Sequence, residues 1–222
     1  MTTATQQAGP VESARDFDPE RDFDPATAEP RAIAAEVWRW LEEGAASRHA
    51  ATHLLTLATT GSDGVPSLRT MVLQAVDVSE RLLYFHTRRD AEKVAEIKGA
   101  AGVAVHLYDR KRKVQLTLNG AATVHADDDV ADRRWAAVRP MSRVCYEREL
   151  PPRRVVEEEA VADRSCNVGR DSCEDSPNGR EHFAVLRVAV TQFEWFFLHF
   201  AGHRNFRYIW NGRDWSSYTL TV

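Results

Sequence analysis

Arg69, Lys93 and Gln115 stand near the ends of successive apolar runs, and their types suit one kind of ligand. Arg69 lies in SLRTMVLQAVD (67–77), where a guanidinium among Leu68, Met71 and Leu73 is either an outward edge charge or a fork of donors for a phosphate. Lys93 falls in the first turn of a helix expected after Thr87. Its ammonium, the threonine hydroxyl and the amides of a helix start suit a single anion. Gln115 sits in a run carrying Leu116 and Leu118. A buried glutamine must be hydrogen-bonded, and the polar edge of a flavin ring offers both donor and acceptor. Taken singly, each cation reads more readily as solvated surface charge. Their joint order and spacing favour a phosphorylated cofactor.

Other constellations say less. His199 and His203 are four apart, but Gly202 and a β-type pattern argue against a helical metal pair, and no metal site is expected. Cys166 and Cys173 stand in a polar loop and read as reduced thiols rather than a redox pair. No nucleophile–base pair occurs at a readable spacing, so no catalytic side chain is assigned. Trp195, Phe196, Phe197 and Phe200 read as core or subunit interface before they read as a ligand shelf.

The elements that would position these residues follow from hydrophobic period. Ile33, Val37, Trp40 and Leu41 recur at helical spacing between Arg31 and Ser47. The period then becomes that of strands: THLLTLATT (52–60), a GSDG turn, SLRTMVLQAV, and RLLYFHT (81–87). DAEKVAEIKG (90–99) predicts a short helix with Asp90 as its N-cap. GVAVHLYD (102–109) and KVQLTLNGAATVHA (113–126) predict a hairpin. Helices are expected over 127–138 and 153–163, and 164–180 reads as a long polar loop. The runs 182–200, 206–210 and 215–222 predict strands again. Many short antiparallel strands with few helices point to a β-barrel with helical decoration. The lack of GxGxxG after a first strand argues against a dinucleotide-binding domain.

Length and composition set the bounds. With 222 residues, 43% of them hydrophobic, the chain can bury one sizeable core. Residues 1–30, with the repeat RDFDPE then RDFDPA, read as a disordered acidic arm that docks Phe17 and Phe23 on the body or on a partner. Residues 31–222 then form a single domain. A net charge of −4 gives no footprint for nucleic acid. No apolar run approaches a membrane span. No signal-peptide pattern opens the chain, and three cysteines without a CxxC pair suit a reducing cytoplasm.

Over about residues 33 to 222 the sequence resembles the pyridoxamine 5'-phosphate oxidase family, antiparallel split β-barrels that bind flavin mononucleotide (FMN) and dimerise with their flavin sites at the subunit interface. The match is strongest in the centre and poor over 143–180. Arg69-Thr70-Met71-Val72-Leu73 is similar to the family's arginine-led strand along the FMN phosphate and ring. His86-Thr87 with Lys93 is similar to its phosphate segment, and Gln115 falls at its ring-contacting glutamine. Glu194-Trp195-Phe196, then His203-Arg204 and Arg207, resembles the closing run, which implies Phe196 and Arg207 at the flavin and Arg204 at the substrate. Gln74, Trp135, Arg139 and Ser142 fall at the remaining substrate positions. Glu92 stands where the family has a phosphate-binding arginine, Gln74 where it has a lysine, and Asn205-Phe206 where it has Leu-His-Asp. The resemblance implies an FMN-dependent oxidoreductase acting on a small, anionic molecule. The alternatives are a flavin carrier or sensor without turnover, and a true pyridoxamine 5'-phosphate oxidase with a substituted pocket.

Overall fold

In the computed structural model the described residues are 23–147, Pro152 and 179–222. The expected helix over 153–163, most of the 164–180 loop, Phe17, Cys166 and Cys173 lie outside them. Helix α1 (Pro30–Ala46) opens with proline at its first turn, a position where the missing N–H costs nothing. Its buried face holds Ile33, Val37, Trp40 and Leu41, the four residues of the helical period, together with Trp38. Phe23 meets Trp40 edge-on with ring centroids 5.8 Å apart, so this end of the expected arm packs on the body.

Eight antiparallel strands follow: β1 (Leu54–Thr60), β2 (Pro66–Asp77), β3 (Leu82–Arg88), β4 (Gly102–Asp109), β5 (Val114–His125), β6 (Phe183–Phe197), β7 (Arg204–Trp210) and β8 (Trp215–Thr219). Their order is β3-β2-β1-β4-β5-β6-β7-β8, and an added β3–β6 pairing closes the first six into a barrel. This is the antiparallel split barrel the sequence predicts, with the β7–β8 hairpin extending from β6. Closure depends on the long β6, which pairs β3 through Phe183–Ala189 and β5 from Val185 to Phe197. At a β5–β6 register shift, a Cβ on Gly120 would lie 2.1 Å from the Ala189 carbonyl oxygen, so only glycine fits.

Alternation decides the core. Leu55, Leu57, Leu73, Leu83, Phe85, Val105, Leu116, Leu118, Phe193 and Trp195 point inward and are essentially inaccessible. Helix α2 (Glu92–Gly99) tucks Val94 and Ile97 against the barrel. Its N-cap is Ala91 and not the expected Asp90, whose carboxylate instead takes two bonds from Arg88, at 2.9 and 2.6 Å. Helix α3 (Asp129–Ala136) starts at Asp128, which caps the amide of Ala131. With the short α4 (Pro140–Arg143), it covers the outer surface of β3 and β6 through Trp135, Val138 and Tyr146.

Candidate functional site

The split in the barrel lies between β2 and β3. They pair only where Leu73–Asp77 meets Leu82–Phe85, with a bulge that leaves Gln74 without an opposite residue. Residues 66–72 of β2 pair with β1 alone among the described strands. Their β3-facing edge therefore offers unpaired main-chain donors and acceptors. Three expected residues border this slot: Arg69 from β2, Thr87 from the end of β3, and Lys93 from the first turn of α2. Lys93 Nζ donates to Thr87 Oγ1 at 3.3 Å. The N-cap residue of α2, Ala91, makes no side-chain cap hydrogen bond. A hydroxyl, an ammonium and a helix N-terminus beside an open strand edge suit a phosphate-bearing cofactor.

Arg69 departs from expectation. Its guanidinium is not an open fork: Nη2 donates to Glu96 Oε2 at 2.9 Å, and Nη1 to the Ser67 carbonyl at 3.1 Å and to Thr59 Oγ1. Thr59 in turn donates to Glu96 at 2.5 Å. Burial pushes the Glu96 carboxyl upward, but the bonds from Thr59 and Arg69 outweigh it and hold the group below the usual range. His86 also departs. It faces the opposite way from Thr87, lies edge-on to Phe183 at 4.9 Å beneath α3, and has a buried Nε2 without a partner. Burial, reinforced by the nearby Arg134, lowers its pKa to about 4.

A second group gathers on the outer face of the sheet. Gln115 pairs with Tyr108 on one side and Phe196 on the other, and Phe196 pairs with Asn205. Gln115 is exposed there and not buried as its sequence context suggested, because Leu116 and Leu118 take the inner positions. One residue pair along, Thr70, Thr56, His106, Thr117, Glu194 and Arg207 form a row across six strands. His106 Nδ1 lies 3.0 Å from Thr117 Oγ1, and Arg207 binds Glu194 through Nε at 2.8 Å. Thr70 and Val72 share this outer face, whereas Met71 points into the core. Gln115 is three strands from β2, about 14 Å at ~4.8 Å per strand.

Arg204 is placed apart from Arg207. It stands three residues before Arg207 in a strand, so the two point to opposite faces. Arg204 faces α1 and donates to the carbonyls of Pro25 at 2.7 Å and Ala28 at 2.8 Å. Within one chain it clamps the N-terminal segment and is not brought beside Arg139 and Ser142, which lie exposed at α4. Trp135 is packed between Tyr146 and Phe183, with Arg143 over its ring at 5.0 Å. The residues that share the outer face with Phe196 are Asn205 and His203, whose ring lies 5.5 Å from that of Phe196. Sequence reading placed both in the closing run without setting either beside Phe196, although the three-residue spacing of the arginines carried the signal. It also missed Glu96 and Thr59, which only the tertiary fold brings to Arg69. No cluster of potential metal ligands occurs among the described residues, and no helix among them is long and apolar enough to cross a membrane.

Fold and site together define a split barrel with an open slot between its second and third strands. The family described as pyridoxamine 5'-phosphate oxidase matches residues 41–165, and the chain belongs to that family. A pyridoxine/pyridoxamine 5'-phosphate oxidase of Agrobacterium fabrum is 30% identical over 52% of this chain, a match spanning about half, 53%, of that relative's length. One from Granulibacter bethesdensis is 26% identical over 82% of this chain and 87% of its own. Among solved structures, the fold matches PhzG from Burkholderia lata 383 with tetrahydrophenazine-1-carboxylic acid, at TM-score 0.64 and 24% identity over 95% of this chain and all of that one. It also matches a pyridoxamine 5'-phosphate oxidase-related, FMN-binding protein of Nostoc punctiforme, at TM-score 0.64 and 20% identity over 88% and 100%.

Proposed function

We propose that the protein is an FMN-dependent oxidoreductase of a small molecule. The observation that carries this reading is the slot itself, where the β2 edge that β3 leaves unpaired adjoins Thr87, Lys93 and the start of α2. The names of the relatives, pyridoxine/pyridoxamine 5'-phosphate oxidases and an FMN-binding protein, support the same cofactor. In this reading Thr87, Lys93 and the α2 amides hold the phosphate, the Thr70–Val72 main chain lines the slot, and Gln115, Phe196 and Arg207 meet the ring. When bound, the flavin supplies the chemistry by accepting a hydride from the substrate. The chain's part is to bind, orient and exclude water, so no strong acid or base is required of it. Gln74 at the bulge, with Trp135, Arg139 and Ser142, remains on the substrate side, while Arg204 within its own chain holds Pro25 and Ala28.

A homodimer belongs to the same proposal. Leu54, Leu68, Val72 and Tyr108 are exposed together on the outer face of β1, β2 and β4, a surface a second copy would cover. Light scattering that gives a one-chain mass at micromolar concentration would remove the dimer. The cytoplasm is the proposed compartment. A flavin carrier without turnover is the second reading, favoured by Glu96, which neutralises one of the slot's cations. The two separate when FMN-loaded protein is mixed anaerobically with pyridoxine 5'-phosphate or a reduced nicotinamide. Bleaching of the flavin by either donor supports the oxidoreductase, and persistent yellow across a donor panel supports the carrier.

A further inference from the structure

We propose that Glu96 is a built-in competitor for the cofactor's phosphate and sets how strongly this pocket prefers a phosphorylated flavin; the inference rests on the flavin reading above. The Glu96 carboxylate takes the Arg69 donor that a phosphate oxygen would need if Arg69 served the ligand. It accepts from Arg69 Nη2 at 2.9 Å and from the Thr59 hydroxyl at 2.5 Å. Both side chains of the ion pair are only 14% exposed, so solvent screens this contact little. Helix geometry fixes the arrangement: Val94 and Ile97 anchor α2 on the barrel, and Lys93 and Glu96, three apart, lie on one face. The carboxylate thus occupies one of the two cations that the sequence assigned to the phosphate, Arg69. Glu92 adds a second acid to the first turn of the same helix.

A phosphate that enters the slot meets Lys93, Thr87 and the helix amides directly. It gains Arg69 only by displacing Glu96, and the displaced carboxylate must then be resolvated. The charge-assisted bond that Arg69 could give the ligand is offset by the one it gives up. The pocket therefore discriminates weakly between FMN and riboflavin, which share the ring and differ in the phosphate.

Dissociation constants for FMN and riboflavin, from quenching of flavin fluorescence by the full chain, test this. Wild type is expected to prefer FMN by less than about tenfold. Glu96→Gln is expected to raise that preference by about tenfold, or 1.4 kcal/mol, through tighter FMN alone. The same substitution should lower the melting temperature of the flavin-free protein, because Arg69 loses its only charged partner among the described residues. Tighter phosphate binding with a less stable apoprotein is a pairing that a purely structural ion pair does not give. An unchanged or reduced preference, with wild type still binding FMN, overturns the competitor role and leaves the flavin reading intact. Failure of wild type to quench either flavin overturns the flavin reading and this inference with it. Should Glu96→Gln not fold, Arg69→Ala decides: the competitor role requires the preference to move by less than about threefold, and a loss of tenfold or more overturns it.

Discussion

The two ends of the candidate site have been altered in different ways. At the β2–β3–α2 end the backbone matches expectation element by element, and the change is chemical: Glu96 takes the guanidinium that was to serve a ligand. At the β7 end both arginines are kept, and the change is geometric: two residues separate Arg204 from Arg207, where the resemblance implied three. A strand converts one residue of spacing into a change of face. Arg204 is thereby carried to the α1 side, where it holds Pro25 and Ala28. Loss of a charge partner at one end is reversible by a point mutation. Loss of parity at the other is not.

The largest expected effect follows from that difference. Inserting one residue between Asn205 and Phe206 would set the arginines in phase and shift the register of everything after them. Either Tyr208, 1% exposed, leaves the core, or the β7–β8 turn must absorb the slip. Turning large rings out of a packed core costs about 3–5 kcal/mol, so the urea midpoint should fall steeply. A midpoint within error of wild type would show that the hairpin slides freely and that parity does not fix the face of Arg204.

Next comes Lys93→Ala at the other end. A charge-assisted bond contributes roughly 1.5–3 kcal/mol, enough to remove the whole of the wild type's small preference for the phosphate, so FMN affinity should fall to about that of riboflavin while riboflavin affinity holds. Equal loss for both flavins would mean that Lys93 supports the fold of α2 and not the phosphate. Arg204→Ala sharpens the contrast with a smaller effect. It should leave FMN affinity unchanged and cost about 1–2 kcal/mol of stability, since its bonds to two carbonyls are part-buried. Any weakening of flavin binding by that variant would return Arg204 to the site.

Most of the fold was legible because its signals are local. The period-two runs, the GSDG turn and the helical spacing of Ile33, Val37, Trp40 and Leu41 each specify an element without reference to the others. The Asp90 cap failed because Arg88, two residues earlier, offered a stronger partner than an amide. Site residues were legible as a set but not in their orientation. Gln115 was placed on the correct strand with the wrong exposure, since burial depends on which face the sheet covers and not on the apolar neighbours. Glu96 was invisible because its partners, Thr59 and Arg69, lie 37 and 27 residues away.

His86 gives the last and smallest test, because it adjoins Thr87 in sequence yet faces away from the slot. Burial, then the charge of Arg134, lowers its pKa from 6.5 to about 4 in the folded protein. The neutral ring is thus the folded form, and the unfolded chain binds a proton first as pH falls. The stability it contributes is complete above about pH 6.5 and is lost progressively between there and pH 4. For this one group the loss between pH 7 and pH 5.5 is about 1 kcal/mol. His86→Leu keeps an apolar side chain against Phe183 and removes the titration. Its unfolding free energy should fall about 1 kcal/mol less than wild type's over the same interval, with FMN affinity unchanged. An identical slope in both proteins would mean the imidazole reaches water despite its packing. A loss of FMN affinity would mean that the face of β3 turned towards α3 belongs to the flavin site after all.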